Sequence, residues 1–143
     1  MASDYEKFEK QVSKIREING TYLSEFTQWL KSKGLSAKTI DNHVTNIEFY
    51  INEFLCYDDA LDVTHGCRMI SRFLGDWFIR KTTWASCGNI KSYAAGIKKF
   101  YEFMLEKGVI EQDDYDELRE TIKDEMPDWL EAMKQDEESD FDW

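Results

Sequence analysis

Residues 33–55 read Lys33-Gly34-Leu35-Ser36-Ala37-Lys38-Thr39-Ile40-Asp41-Asn42-His43-Val44-Thr45-Asn46-Ile47-Glu48-Phe49-Tyr50-Ile51-Asn52-Glu53-Phe54-Leu55, and this stretch decides the fold class. Its apolar residues Ile40, Val44, Ile47, Ile51 and Phe54 recur at steps of three and four, and Leu55 stands four after Ile51. That repeat places side chains on one face of an α-helix. Gly34 is suited to the left-handed conformation that closes a preceding helix. Ser36 offers a side-chain oxygen to cap the next one. A stop signal, a short link and a start signal thus follow one another directly, as they do between packed helices.

The same spacing extends both ways. Upstream, Tyr5, Phe8, Val12, Ile15 and Ile18 form one helical stripe and Tyr22, Leu23, Phe26, Trp29 and Leu30 another, with Asn19-Gly20 between the two segments. Downstream, Cys56 to Val63 reads as an Asp-rich loop. Thr64 is the predicted cap of a helix that buries Met69, Ile70, Phe73, Leu74, Trp77 and Phe78, and Lys81-Thr82-Thr83-Trp84 breaks the pattern. Ser86 or Asn89 starts a further helix carrying Ile90, Tyr93, Ala94, Ile97, Phe100, Tyr101, Met104 and Leu105, which Gly108 ends. Asp113 or Asp114 caps a last, acidic helix with Tyr115, Leu118 and Ile122. Pro127 kinks or restarts that helix before Trp129, Leu130 and Met133. Alternating strand patterns are absent. The expectation is an all-α fold of four to six helices in an orthogonal or bundled arrangement. Ile40, Val44, Ile47, Ile51, Phe73, Trp77, Ile97, Phe100 and Met104 are expected in one core. By this reading residues 1–112 form the helical domain, 113–135 an acidic helix and 136–143 a frayed acidic tail.

The length, 143 residues, fits one domain or one domain with a tail. A hydrophobic content of 42%, with 15% aromatics, supplies a real core and excludes wholesale disorder. No apolar run approaches the roughly 18 residues of a membrane span, and no signal-peptide pattern opens the chain. The odd count of three cysteines argues against a disulfide framework and for a reducing cytoplasm. The net charge of −11 is unevenly distributed. Residues 102–143 hold 4 Lys and Arg against 17 Asp and Glu, whereas residues 20–101 hold 10 against 8. Within the latter, Gly66 to Tyr101 carries seven bases against the single acid Asp76. Fields act locally, because salt screens charges beyond about 10 Å, so an acidic chain with a basic middle remains compatible with phosphate.

Constellations for catalysis are poor. His65, Cys67, Cys56 and Cys87 are the residue types of a zinc set, but their spacing lacks the paired ligand form, so neither a metal nor another cofactor is expected. No nucleophile elbow, metalloprotease helix motif or glycine-rich phosphate loop occurs. The carboxylates between Asp113 and Glu125 lie on one highly charged helix, where solvated acids stay ionised. An enzyme is not expected.

One resemblance gathers the middle of the chain. Phe26-x-x-x-Leu30, then Lys33-Gly34-Leu35-Ser36-x-x-Thr39-Ile40-x-x-His43-x-x-x-Ile47 and the aromatic pair Phe49-Tyr50 resemble the opening of the core-binding domain of tyrosine recombinases, the phage integrases. That SAM-like domain has a glycine stop, a Ser/Thr-opened helix and an aromatic-ended helix in this order. Ile90-Lys91-Ser92-Tyr93-x-Ala95-x-x-Lys98-Lys99-Phe100-Tyr101-x-Phe103-Met104-x-x-Lys107-Gly108-Val109-Ile110 is similar to a later helix of the family. The match is strongest over residues 20–112.

The resemblance implies a SAM-like helical domain that clasps duplex DNA during DNA integration and recombination. It implies contacts from Ser36, Lys38, Thr39, Asn42 and His43 on the first helix and from Asn89, Lys91, Ser92 and Lys98 on the later one. Helix N-termini and hydroxyls suit phosphates, and lysines supply salt-dependent attraction. Two departures stand against the pattern. The family's catalytic domain does not follow before Trp143, so strand cleavage is not expected of this polypeptide. The predicted DNA face is also less basic than is usual in the family. The alternative is a helical interaction or regulatory domain that keeps the fold and offers its acidic C-terminus, with Trp129, Phe141 and Trp143, to a basic protein partner.

Overall fold

Gly34 and Gly108, the two glycines expected to end helices, stand at φ values of 80° and 84°. Each forms the same C-terminal motif. Gly34 N–H donates to Lys31 O and Leu35 N–H to Leu30 O, while Gly108 N–H donates to Leu105 O and Val109 N–H to Met104 O. This pair of bonds satisfies carbonyls that a helix end otherwise leaves open. The structure, a computed structural model, describes the backbone of residues 3–141 and the side chains of 3–138. The described residues are helical with no strand, so the fold is all-α. The chain divides into two units, Met1–Gly66 and Cys67–Trp143.

In the first unit, α1 spans Asp4–Ser32, capped by Ser3 Oγ accepting from Glu6 N–H at 3.1 Å. It runs unbroken through Asn19-Gly20, which corrects the expected pair of segments. The reason is tertiary. Asn19 is buried, and its Nδ2 donates to Asn52 Oδ1 at 2.8 Å and to Ile51 O at 3.4 Å. Helix α2, Ala37–Glu48, opens on Ser36 and runs into a π-helical turn, Phe49–Phe54. Arg16 on α1 donates to the Asn52 carbonyl at 3.0 and 3.2 Å, so α1 side chains satisfy oxygens at the end of this helix. Phe26, Leu30, Ile40, Ile47, Tyr50 and Ile51 are buried, and Val44 is half-buried. A 3₁₀ turn over Val63–Cys67 follows the loop. Thr64 does not cap the next helix. Its N–H and hydroxyl donate to the Asp62 carboxylate, and the buried Tyr50 hydroxyl donates to Gly66 O at 2.7 Å.

In the second unit, α3 (Ile70–Arg72), a π-helical turn (Phe73–Trp77) and α4 (Phe78–Lys81) continue one another. Helix α5, Cys87–Lys107, buries Ile90, Tyr93, Ala94, Ile97, Phe100, Tyr101 and Met104, as its spacing predicts. Helix α6, Gln112–Phe141, packs against α5, α3 and the Phe73–Trp77 turn. It begins one residue before Asp113. Asp114 reaches back to accept from Glu111 N–H at 3.0 Å rather than serving as the cap residue itself. The helix continues through Pro127 to Phe141; of the predicted tail, Asp142 and Trp143 lie outside the described residues. Trp129 and Met133 are buried, and a side chain at Gly75 would come within 3.0 Å of the Trp129 ring, so glycine permits that approach. The residues expected in one core thus lie four in the first unit and five, all buried, in the second.

Candidate nucleic-acid interface

Ser36 turns out of the helical conformation (φ −68°, ψ 156°), so its Oγ accepts from Thr39 N–H at 3.2 Å and donates to Thr39 Oγ1 at 2.9 Å. Both hydroxyls therefore serve the cap first. The next turns leave Lys38 and Asn42 exposed, with Thr39 and His43 half-buried. All five predicted residues of this group lie on the first two turns of α2, and no acid stands in its first turn.

The second group begins in the same way. Ser86 Oγ accepts from Asn89 N–H at 3.1 Å, and Asn89 Nδ2 donates to Trp84 O at 2.6 Å. The asparagine amide thus fixes the link before α5. Lys91 and Lys98 are exposed and Ser92 is half-buried. The first turn of α5 again lacks acids, so the partial positive charge of the helix N-terminus is not cancelled from within the helix. Asn89, Lys91, Ser92 and Lys98 share α5 in the second unit, while the Ser36 group belongs to the first.

Much of the positive charge counted between Gly66 and Tyr101 is already engaged. Arg68 approaches Asp114 at 3.6 Å and Glu117 at 3.8 Å, both on α6. Arg80 grips Asp76 with two bonds of 2.8 and 2.9 Å, and this hydrogen-bonded guanidinium holds the Asp76 carboxyl below its ordinary range. Lys99 approaches Glu102 at 3.3 Å. Lys98 lines a groove with Arg119 and Lys123, but also with Asp116, Glu120 and Asp124 of α6. A second groove joins Arg80, Thr82 and Thr83 to Asp136 and Glu137 near the end of α6. The acidic helix therefore lies against the basic segment. Asp113, Glu117, Glu120, Asp124 and Glu131 are exposed, at helical spacing opposite the buried Leu118 and Trp129.

Cys56 and Cys67 are buried, which disfavours their thiolate forms. Burial pushes the Cys67 thiol up to about 12 and raises that of Cys56. Among the described residues no three His, Cys, Asp or Glu side chains gather in a way that could hold a metal ion. No described helix is long and apolar enough to cross a membrane. Sequence reading passed over Trp84 as a mere break in periodicity, although it is a large side chain left 48% exposed beside the α5 cap. No protein-family model matches this chain, and neither a curated protein nor a solved structure matches it with significance.

Proposed function

We propose that this protein is a non-catalytic DNA-binding module of the reducing cytoplasm, related to the core-binding domain of tyrosine recombinases, which holds duplex DNA through the opening turns of α2 and α5. The observation that carries this reading is the repeated design of those two openings. Each has a serine cap, an acid-free first turn and exposed lysine within two turns of the start. Such helix ends attract phosphate through their N–H groups and dipole, and the lysines add attraction that falls with salt. The motif order over residues 20–112 supports the same reading. Phosphate contacts position a duplex without reading its sequence, so weak binding of all sequences is expected. A duplex-binding titration at two salt concentrations tests this. Binding should weaken steeply as salt rises, and Lys91→Glu with Lys98→Glu should weaken it alike on every sequence. Salt-independent binding, or no loss in the double variant, refutes the proposal.

A second reading draws on the exposed carboxylates of α6, which present an acidic face to a basic protein partner. On that reading the double lysine variant leaves partner binding intact, and charge reversal at Glu117 and Asp124 abolishes it.

A further inference from the structure

Trp84 stands in the link between α4 and α5, half of its surface open to solvent, yet it is held from three directions. Asn89 Nδ2 binds its carbonyl at 2.6 Å. Its ring meets Phe78 edge-on with centroids 6.4 Å apart. Its side chain also forms a hydrogen bond with Tyr93. Phe78 and Tyr93 are buried and pack on one another at 4.7 Å, so the indole rests on a rigid aromatic base. An aromatic side chain already fixed in place loses little further freedom when it binds.

Its surroundings indicate the ligand. Residues 77–101 contain Arg80, Lys81, Lys91, Lys98 and Lys99 and no acid, and Lys81 and Lys91 on either side of the link are exposed. Among the described residues the other exposed large apolar side chains, Tyr5, Ile18 and Tyr57, belong to the first unit. Among the described residues of the second unit Trp84 is thus a single exposed aromatic, not the centre of the contiguous apolar patch that a protein interface presents. It lies between Lys81 and Lys91 in the chain and next to Thr83 and Ala85 of the groove that holds Arg80, Asp136 and Glu137. Exposed lysines beside an aromatic face suit the duplex backbone: the phosphates meet the lysines, and a sugar meets the ring.

We propose that Trp84 is a nucleotide-contacting residue, packing its indole against a deoxyribose of duplex DNA bound at the start of α5. This inference rests on the DNA-binding reading and deepens it by adding a contact that salt does not remove. Apolar packing on a sugar contributes without displacing counterions, whereas each lysine–phosphate contact does displace them. The two kinds of contact therefore separate in a salt series.

The test measures binding of one mixed-sequence duplex across a range of salt to the unaltered protein, Trp84→Ala, Trp84→Tyr and Lys91→Gln. Trp84→Ala should bind about tenfold more weakly at every salt concentration, with the slope of log affinity against log salt unchanged. Trp84→Tyr should recover most of that loss. Lys91→Gln should flatten the slope by about one unit. Iodide quenching of the unaltered protein, corrected with Trp84→Tyr, should find the indole open when free and shielded by duplex. Equal affinity of Trp84→Ala and the unaltered protein, with salt-dependent binding in both, overturns this inference alone. Failure of the unaltered protein to bind duplex overturns the DNA-binding reading as well. If Trp84→Ala fails to fold, the quenching decides: an indole still open to iodide in the complex refutes the proposal.

Discussion

Asn19 and Gly20 together test the least expected feature of the first unit, and they should respond with opposite signs. Asn19 is 1% exposed and donates one good hydrogen bond, to Asn52 Oδ1 at 2.8 Å, and one long one, to Ile51 O at 3.4 Å. Asn19→Ala removes both donors and leaves a buried carbonyl at the end of a helix poorly served. Each net hydrogen bond contributes about 1 kcal/mol, and an orphaned buried acceptor costs about 1–3 kcal/mol. Alanine returns roughly 0.5 kcal/mol through its better helix propensity. The expected loss is about 1–2 kcal/mol, or roughly 3–6 °C in melting temperature for a chain of this size. Gly20, one residue on, faces open space: a side chain there meets nothing within 4 Å. Gly20→Ala should stabilise α1 by about 0.8–1 kcal/mol. Thermal melts followed by circular dichroism, with amide exchange over residues 49–56 to localise the effect, measure both. Stabilisation by Asn19→Ala, or destabilisation by Gly20→Ala, refutes the continuous helix and the role given to its buried amide.

Three further outcomes are expected. Phe100 is fully buried with ring neighbours Tyr101 at 5.1 Å and Phe103 at 6.3 Å, so Phe100→Ala should cost about 3–5 kcal/mol in a denaturant titration. Burial alone pushes the Asp62 carboxyl up, but the Thr64 hydroxyl and N–H with His65 outweigh it and hold the group below the ordinary range. Its stabilising contribution is therefore complete above the unfolded value and lost as pH falls through the lower folded one. Amide exchange at Thr64 should quicken relative to other amides only in acid, and Asp62→Asn should remove that step. Deleting Asp136 to Trp143 removes five negative charges and no positive one, including the carboxylates beside Arg80, Thr82 and Thr83. It should strengthen duplex binding at low salt, the gain fading towards about 1 M; equal affinity at low salt would leave this segment without influence on DNA.

What the sequence disclosed and what it hid follow the range of the interactions involved. Gly34, Ser36, Ser86 and Gly108 were legible because a cap or a left-handed glycine binds residues only a few positions away. Asn19-Gly20 misled for the opposite reason. The dipeptide favours a turn locally, but the partner that keeps Asn19 in the helix is Asn52, and no local pattern announces it. The π-helical turns at Phe49–Phe54 and Phe73–Trp77 preserve the apolar spacing well enough to pass as ordinary helix. At the candidate interface the helix openings were legible, but the field around them was not. A count of charges along Gly66 to Tyr101 does not show that Arg80 pairs with Asp76, four residues away, or that Arg68 finds its carboxylates on α6.

That pairing bounds how strongly DNA can be held. Helix α6 is anchored by Tyr115, Leu118, Trp129 and Met133, all buried, and each large apolar side chain so placed stabilises by about 1.5–3 kcal/mol. Exposed ion pairs such as Arg68 with Asp114 contribute far less, typically below about 1 kcal/mol, so they are not what seats the helix. Phosphate can therefore compete for Arg68 or Arg80 one side chain at a time, but it cannot displace the acidic helix as a whole. On the DNA-binding reading the exposed lysines of α2 and α5 are Lys38 in the first unit and Lys91 and Lys98 in the second. Three such contacts give a slope of log affinity against log salt of about −2.7, from about −0.9 for each phosphate neutralised. The measured slope should lie at or below that magnitude, with the Lys98 contribution reduced by Asp116, Glu120 and Asp124 in its groove. A slope near −6 would mean that the paired arginines abandon their carboxylates on binding, and the assignment of the interface to the opening turns of α2 and α5 would then be wrong.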